Sequence, residues 1–567
     1  MTAVAGGRTA QAPRTGAHRG TAGVLWRQTR HELVALTRVP ITLILSIGLP
    51  LVFFVILSAF VGNEVVDPST GIRLVQFLAP GMAAFGVVMA TFSFLAIGVS
   101  EARTTGILKR QSGTPVPRWV LVAGRMGASL ILGLVSTGLV IGAGLVFYDL
   151  QVPARTLGAL VVTLVLASLC FSALGYALAL ALPSMQMTVA VANGSVILLA
   201  FVSEMFTFGG EMPAWLSGVG WFFPLRHLTA SLQEVLDPYG SGAGFAPEHL
   251  AVIVAWGLAG VVVASLLLRR ERNRSGAAVA HAAKVERAAD RVARNDGVPS
   301  AAALTWSQVG HTQSILWRDW SAVFFAMAFP IALAVIIPTV NGGGDATMDD
   351  GRPLGTFFAA TMAVYGAAVT AYVNMPQGLA EDRERGVLKR VRATPLPAVP
   401  LLVGRVVGAL AIAMLTGAAI LVIAAVIYQP AYPSGLPAAV LTLAVATVCF
   451  AVVGLAVSTF VTSAQAGTGI ALGTLLPLAF ISDIFVIGAE FPPVINAIGW
   501  FFPLRHAANA MTTAVDPNVT GSGLSWDHLA VMLAWTAAAA VVVALRFRWV
   551  DSESGATGPE PKEPVSE

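Results

Sequence analysis

The sequence predicts an all-α integral membrane protein whose twelve transmembrane helices form two parallel six-helix repeats. Three observations lead there. Of its 567 residues, 56% are hydrophobic and only 11% are charged, with a mean hydropathy of +0.76; an ordinary soluble domain carries about 25% charged residues. Twelve apolar stretches each approach the roughly 20 residues that cross a hydrocarbon core. The string Gly220-Trp-Phe-Phe-Pro-Leu-Arg-His227 recurs unchanged at 499–506, so the halves are copies of one unit.

The same numbers exclude other classes. So much apolar content excludes disorder as the main state, and a soluble enzyme of this size could not cover the surface. Two cysteines, Cys170 and Cys449, make neither a disulfide framework nor a four-cysteine zinc site. A net charge of +4 does not suggest a nucleic-acid partner. The four lysines are Lys109, Lys284, Lys389 and Lys562, and none follows a glycine, so no phosphate-binding G-x-x-x-x-G-K-[ST] loop exists in this chain. Neither a catalytic constellation nor a metal-ligand set stands out, and no resident cofactor is expected.

In chain order, residues 1–20 are small, polar and dotted with Arg8, Arg14 and Arg19. They read as a disordered cytoplasmic arm rather than a cleaved leader, because no apolar core follows until after Pro40. The first half, 21–270, holds candidate spans near 40–61, 75–100, 120–147, 156–182, 187–208 and 249–268. A charged, Ala-rich linker occupies 271–300. The second half, 301–548, holds spans near 320–340, 354–379, 400–428, 435–461, 466–487 and 528–546, and 549–567 forms a cytoplasmic tail. Alternate loops contain 29 of the 34 basic residues, the exceptions being Arg73, Arg155, Arg226, Arg352 and Arg505. Acidic residues divide about evenly. This bias places both termini in the cytoplasm, and 30 arginines against four lysines, with abundant alanine and glycine, point to a GC-rich bacterial genome and so to a bacterial plasma membrane.

The halves align at an offset of 279 or 280. Trp26 and His31 match Trp306 and His311, Cys170 matches Cys449, and Asp237-Pro238 matches Asp516-Pro517. An even number of spans per half sends both copies into the membrane from the same side. The repeat is therefore parallel, about an axis along the membrane normal, with a seam or cavity between the halves for a transported molecule.

Three matched elements carry the chemistry. The loop after the second span contains Glu101, Arg103, Gly106, Leu108, Lys109 and Arg110, then Thr-Pro-Val-Pro. Its twin contains Glu381, Arg383, Gly386, Leu388, Lys389 and Arg390, then Thr-Pro-Leu-Pro. Apolar residues beside basic ones, ended by prolines, suit a short helix flat on the cytoplasmic face that docks into a groove of a soluble partner. Arginines obeying topology alone account for the charges, but not for Gly, Leu, Thr and both prolines held in register. Between spans five and six, Trp221-Phe-Phe-Pro224 and Trp500-Phe-Phe-Pro503 are too short and proline-broken to cross. The Arg226-His227 and Arg505-His506 pairs that follow read as structural. Third, Glu204 in FVSEMF and Asp483 in FISDIF lie at matched positions of the fifth spans. Acids at such depth are expensive and functional by default. If they face each other across the seam they could hold a cationic substrate, relay protons or gate. The alternative is a wetted structural site at the outer end of each helix.

The pattern E-x-x-x-x-G-[TIV]-L-K-R-x-x-x-T-P-[LV]-P after the second of six spans resembles the permeases of ABC-2 type exporters, including the daunorubicin-resistance type. The resemblance covers both halves. It implies the ABC-2 (type V exporter) fold, with each loop a coupling helix on a separate ABC ATP-binding subunit in two copies, ATP and Mg being held there. It also implies amphipathic interfacial helices at 24–38 and 305–318, and a re-entrant helix pair capping the exit path. The function implied is efflux of a hydrophobic small molecule, such as a drug or antibiotic, from the cytoplasm or inner leaflet. Lipid or glycan export, and an ion-gradient-driven twelve-span transporter using Glu204 and Asp483, stand as alternatives. Typical members are single six-span chains that dimerise; here two are fused. The first copy departs at Gln111-Ser112-Gly113, where the second has Val391-Arg392-Ala393, which bears on whether the halves couple equally.

Overall fold

The computed structural model describes residues 21–37, 44–61, 65–67, 72–111, 113–114, 116–205, 212–274, 300–318, 323–340, 346–348, 351–394, 396–428, 435–461, 463–485, 491–516, 518–519 and 521–547. The amino-terminal arm, nearly all of the linker and the tail lie outside these residues.

Among the described residues, each half contains ten α-helices in the same order. In the first they are α1 (Thr21–Thr37), α2 (Leu49–Val61), α3 (Val75–Thr104), α4 (Ile107–Gln111), α5 (Arg118–Phe147), α6 (Leu157–Ala181), α7 (Met185–Val202), α8 (Ala214–Phe222), α9 (Pro224–Leu236) and α10 (Pro247–Arg274). In the second they are α11 (Ala301–Arg318), α12 (Phe329–Val340), α13 (Leu354–Glu384), α14 (Val387–Arg392), α15 (Ala398–Tyr428), α16 (Leu436–Ser458), α17 (Ala464–Phe480), α18 (Pro493–Phe501), α19 (Pro503–Val515) and α20 (Trp526–Arg546).

Eight of these are long and apolar enough to cross a membrane. The other four expected spans, one and five of each half, are shorter apolar helices, α2, α7, α12 and α17. The first spans start with π-helical turns, Ile44–Gly48 and Phe324–Ala328. The fifth-span helices end at Val202 and Phe480, short of the 208 and 487 that hydropathy predicts; residues 206–208 and 486–487 lie outside the described residues. One exception to the all-α expectation is a small antiparallel ribbon, Val65–Asp67 with Ile72–Arg73, between spans one and two.

Burial sorts the spans by position. The second spans, α3 and α13, form the centre of each half, and α10 and α20 are mostly exposed, as lipid-facing helices should be. Both central helices contain a π-helical turn at matched places, Met89–Phe94 and Val369–Val373. Such turns stand where a helix departs from regular hydrogen bonding, often near functional sites.

The halves meet by exchange: α2 packs against α17, and α12 against α7. First span on fifth span, in both directions, is what a two-fold relation requires. One hydrophobic core runs through both halves. The seam is packed with rings at the level described here. Phe53 lies 4.5 Å from Phe480, Phe480 lies 5.1 Å from Phe485, and Phe485 lies 5.0 Å from Tyr365 and 6.2 Å from Phe201. The expected seam between halves is thus closed by aromatic contacts, each worth about 0.5–1.5 kcal/mol beyond its burial.

Phe53→Ala should therefore destabilise the chain by about 3 kcal/mol, whereas Phe147→Ala, on an exposed surface, should change stability by less than about 0.5 kcal/mol. Thermal unfolding in detergent compares the two.

Candidate functional site

Two matched places carry the chemistry, one at each end of the bundle. The first is the loop after the second span. α3 ends on Thr105, and Gly106 then adopts the left-handed conformation (φ +73°), as does Gly386 (φ +66°). The turns close with Gly106 N–H donating to the Arg103 carbonyl at 3.2 Å and Gly386 N–H to the Arg383 carbonyl at 3.0 Å. Positive φ is what only glycine adopts readily; this is why both copies keep it. The chain then re-enters helix as α4 and α14. Thr114 and Thr394 hydroxyls donate to the carbonyls of Gln111 and Val391 at 2.7 and 2.6 Å, tying off the ends of these short helices.

Lys109, Arg110, Lys389 and Arg390 are exposed, while Leu388 is buried and Leu108 packs on a small cluster around Leu95 and Val99. Arg103 and Arg383 are placed differently from the expectation that they face a partner. Arg103 donates to the carbonyls of Leu180, at 3.2 Å, and Leu182; Arg383 donates to those of Ser458 and Val461 at 3.3 and 3.0 Å. Both cap the carboxyl end of the fourth span, where cations are favourable. They weld span four to the base of the loop. Glu101 and Glu381 are half-buried, and Glu381 pairs with Arg385 one turn on.

Sequence reasoning missed a third tie. Arg125 and Arg405 are matched, but their acids are not. Arg125 reaches Glu32 on α1 at 3.3 Å and the Gln111 side chain at 3.3 Å, whereas Arg405 pairs with Asp382 at the end of α13. Helices α1 and α11 pack along α5 and α15, with Trp26 and Trp306 exposed.

The second place is where span five stops. α7 ends at Val202, and Glu204 takes φ +56°; α17 ends at Phe480, and Asp483 takes φ +57°. Met205 N–H donates to the Ala200 carbonyl at 3.0 Å and Glu204 N–H to Phe201 at 3.3 Å, the six-to-one and five-to-two pattern of a Schellman cap. An acid occupies the position that usually takes glycine. Glu204 and Asp483 therefore lie past the helix ends rather than within them, and each has a partner: Arg226 at 2.6 Å and Arg505 at 2.8 Å. These arginines come from the first turn of α9 and α19, so each pair pins its α8–α9 or α18–α19 hairpin onto span five.

The unchanged octapeptide now has a physical reading. α8 and α9 break at Phe223-Pro224, leaving the carbonyls of Trp221 and Phe222 without helical partners. His227 Nε2 donates to Trp221 at 2.8 Å, and Trp256 Nε1 of span six donates to Phe222 at 3.0 Å. With Nε2 donating, His227 Nδ1 accepts from His249 Nδ1–H at 3.1 Å. His506, Trp535 and His528 repeat all three contacts. Arg226 and Arg505 lie over the rings of Trp221 and Trp500 at 4.8 and 4.6 Å. Gly220 and Gly499 permit the closeness: a methyl there would come within 2.7 Å of the Val202 carbonyl oxygen or 2.6 Å of the Ile481 carbonyl oxygen.

Residues 24–236 and 305–515 each match the family model described as ABC-2 type transporter. The matches run from α1 through α9 and from α11 through α19. The daunorubicin resistance ABC transporter permease DrrB1 of Streptomyces coeruleorubidus is 25% identical over 253 residues, which cover 44% of this chain and 85% of that protein. The inner membrane transport permease YadH of Escherichia coli K12 is 27% identical over 154 residues, 27% of this chain and 57% of that protein. The fusion of two copies in one chain is consistent with these lengths.

Gly499→Ala should cost about 1–3 kcal/mol of stability, since a backbone carbonyl has to move. Gly218→Ala, two residues from the matched Gly220 and with open space around it, should be neutral or stabilise by up to about 1 kcal/mol. Denaturation of the two variants in detergent separates a close-approach requirement from general intolerance of the hairpin.

Proposed function

Because this chain belongs to the ABC-2 type transporter family, we propose that it is the fused transmembrane permease of an ATP-driven exporter that moves a hydrophobic small molecule outward. The observation that carries this reading is the pair of short helices α4 and α14, built alike and set on the same side of the bundle. Each rests on a left-handed glycine and each presents basic residues outward. Two docking elements on one chain suit two copies of an ATP-binding subunit, on which ATP and Mg are held and hydrolysed. The chain itself is not the ATPase.

The route by which a push at α4 reaches the outer end follows from the contacts. Arg103 welds the base of α4 to span four, and α4 continues directly from the central span α3. A displacement of α4 thus moves α3 and span four together. At its other end α3 meets the cap of span five, where a methyl at Gly81 would lie 3.0 Å from the Met205 carbonyl oxygen. Met205 follows Glu204, so motion of α3 bears on the acid–arginine pair that holds the re-entrant hairpin. Parting of the aromatic seam and release of the hairpin would open a path between the halves. The rings of Phe53, Phe480, Phe485 and Tyr365 offer flat apolar surface along it, which favours an aromatic or otherwise hydrophobic cargo over a hydrated glycan.

Purification of the tagged chain in mild detergent should recover a soluble ATPase. Gly106→Val with Gly386→Val should abolish that recovery, because a β-branched residue cannot hold positive φ. Recovery of no ATPase from the unaltered chain would leave ion-gradient-driven transport as the better reading. Separately, Glu204→Gln with Asp483→Asn should reduce efflux of a hydrophobic dye by at least about tenfold, since each replaces the charged partner of a buried or partly buried arginine. Unchanged efflux would make both pairs purely structural.

A further inference from the structure

The two outer pairs are built on one plan but are not held equally. Asp483 is bound at both oxygens: Arg505 Nε donates to Oδ2 at 2.8 Å and Nη2 to Oδ1 at 3.4 Å. Asn509 Nδ2 adds a third contact to Oδ2 at 3.4 Å while also donating to the Arg505 carbonyl at 2.9 Å. Asn496 on α18 accepts from the remaining Arg505 Nη1. The guanidinium is thus fastened on both sides, and its side chain is 8% exposed, with that of Asp483 at 21%.

In the first half the matched residues are Ser217 and Ala230. Alanine has no polar group, and a serine hydroxyl is too short to stand in for the Asn496 amide. Among the described residues, Glu204 is held by Arg226 alone at 2.6 Å, and its side chain is 39% exposed. The one other hydrogen bond from Arg226 to a described residue goes from Nη1 to the Val202 carbonyl, at 3.4 Å. A pair that water reaches, with one carboxylate contact, is weaker than a bidentate pair with two flanking amides.

We propose that the outer gate is one-sided: the first-half hairpin opens, while Asn496 and Asn509 are positioning residues that keep the second-half hairpin shut as a fixed jamb. The term gate rests on the transport reading above. The difference in opening does not, because it belongs to the resting chain. Cargo leaving past such a gate passes on the Glu204 side, so substitutions around Glu204 alter release, and those around Asp483 alter the stability of the frame.

Ser203 and Ser482 supply matched reporters. Both are fully buried beside the acids, and among the described residues neither hydroxyl has a hydrogen-bond partner, so Ser203→Cys and Ser482→Cys are nearly isosteric. In a background carrying Cys170→Ala and Cys449→Ala, membranes containing either reporter are treated with a membrane-impermeant maleimide, without ATPase or nucleotide. The reporter at 203 should label at least about tenfold faster than that at 482. Asn496→Ser with Asn509→Ala should raise the rate at 482 to that at 203. Ser217→Asn with Ala230→Asn should slow the rate at 203 and lower efflux without reducing ATPase recovery. Equal rates at the two reporters in the parent chain, or rates that do not respond to either exchange in monodisperse protein, overturn the proposal. Loss of efflux from every variant including the parent, with the labelling difference intact, faults the transport reading instead.

Discussion

Helices that stop within the apolar bulk of this chain leave carbonyl oxygens without helical partners, and covering those oxygens is the constraint around which the molecule is arranged. Span four ends twice, and Arg103 or Arg383 covers its last carbonyls. Span five ends early, and in each half an arginine from the hairpin pairs with the acid at its cap, Arg226 also reaching the Val202 carbonyl. The hairpin itself breaks at a proline, and its two exposed carbonyls receive His227 and Trp256, or His506 and Trp535. Each interruption is therefore a joint between two elements. Remove the capping side chain, and both the carbonyl and the contact between elements are lost.

These joints form a mechanical series. The loop helix is continuous with the central span and fastened to span four. The central span abuts the cap of span five, the cap is tied to the hairpin, and the hairpin is tied to span six. No joint in the series lies in a loop tip or at a flexible terminus. A movement applied at α4 or α14 therefore has a packed route to the opposite end, through elements that meet at backbone distance. The π-helical turns midway along both central spans interrupt that route at the level where the aromatic seam closes.

Much of this was legible in the sequence because hydropathy and self-comparison both report it strongly. The twelve spans, the two matched halves, the short loop helices and the proline-broken hairpins all follow from apolar length, glycine and proline positions, and register. What was not legible has a common cause: it depends on partners far apart in the chain. Span five was read as running past Glu204 because hydropathy does not mark an acid in left-handed conformation, and Arg226 lies 22 residues away. Arg103 and Arg383 sit among basic loop residues, so nothing local shows that they turn back to span four. The acid facing Arg125 is Glu32, that facing Arg405 is Asp382, and comparison of the halves finds no conserved acid because the partner has moved between elements. The departure at Gln111 was visible; its reason, a hydrogen bond to Arg125, was not. Nor did the identical octapeptides hint that the pairs they belong to differ at Asn496 and Asn509.

On the proposed function, one chain carries both halves of a permease and both docking elements. Native mass spectrometry of the complex released from membrane tests it most directly. A particle holding one 58.8 kDa chain and two ATP-binding subunits is the predicted result. Two copies of this chain on one pair of ATPases, or a chain released with no ATPase at all, would contradict it.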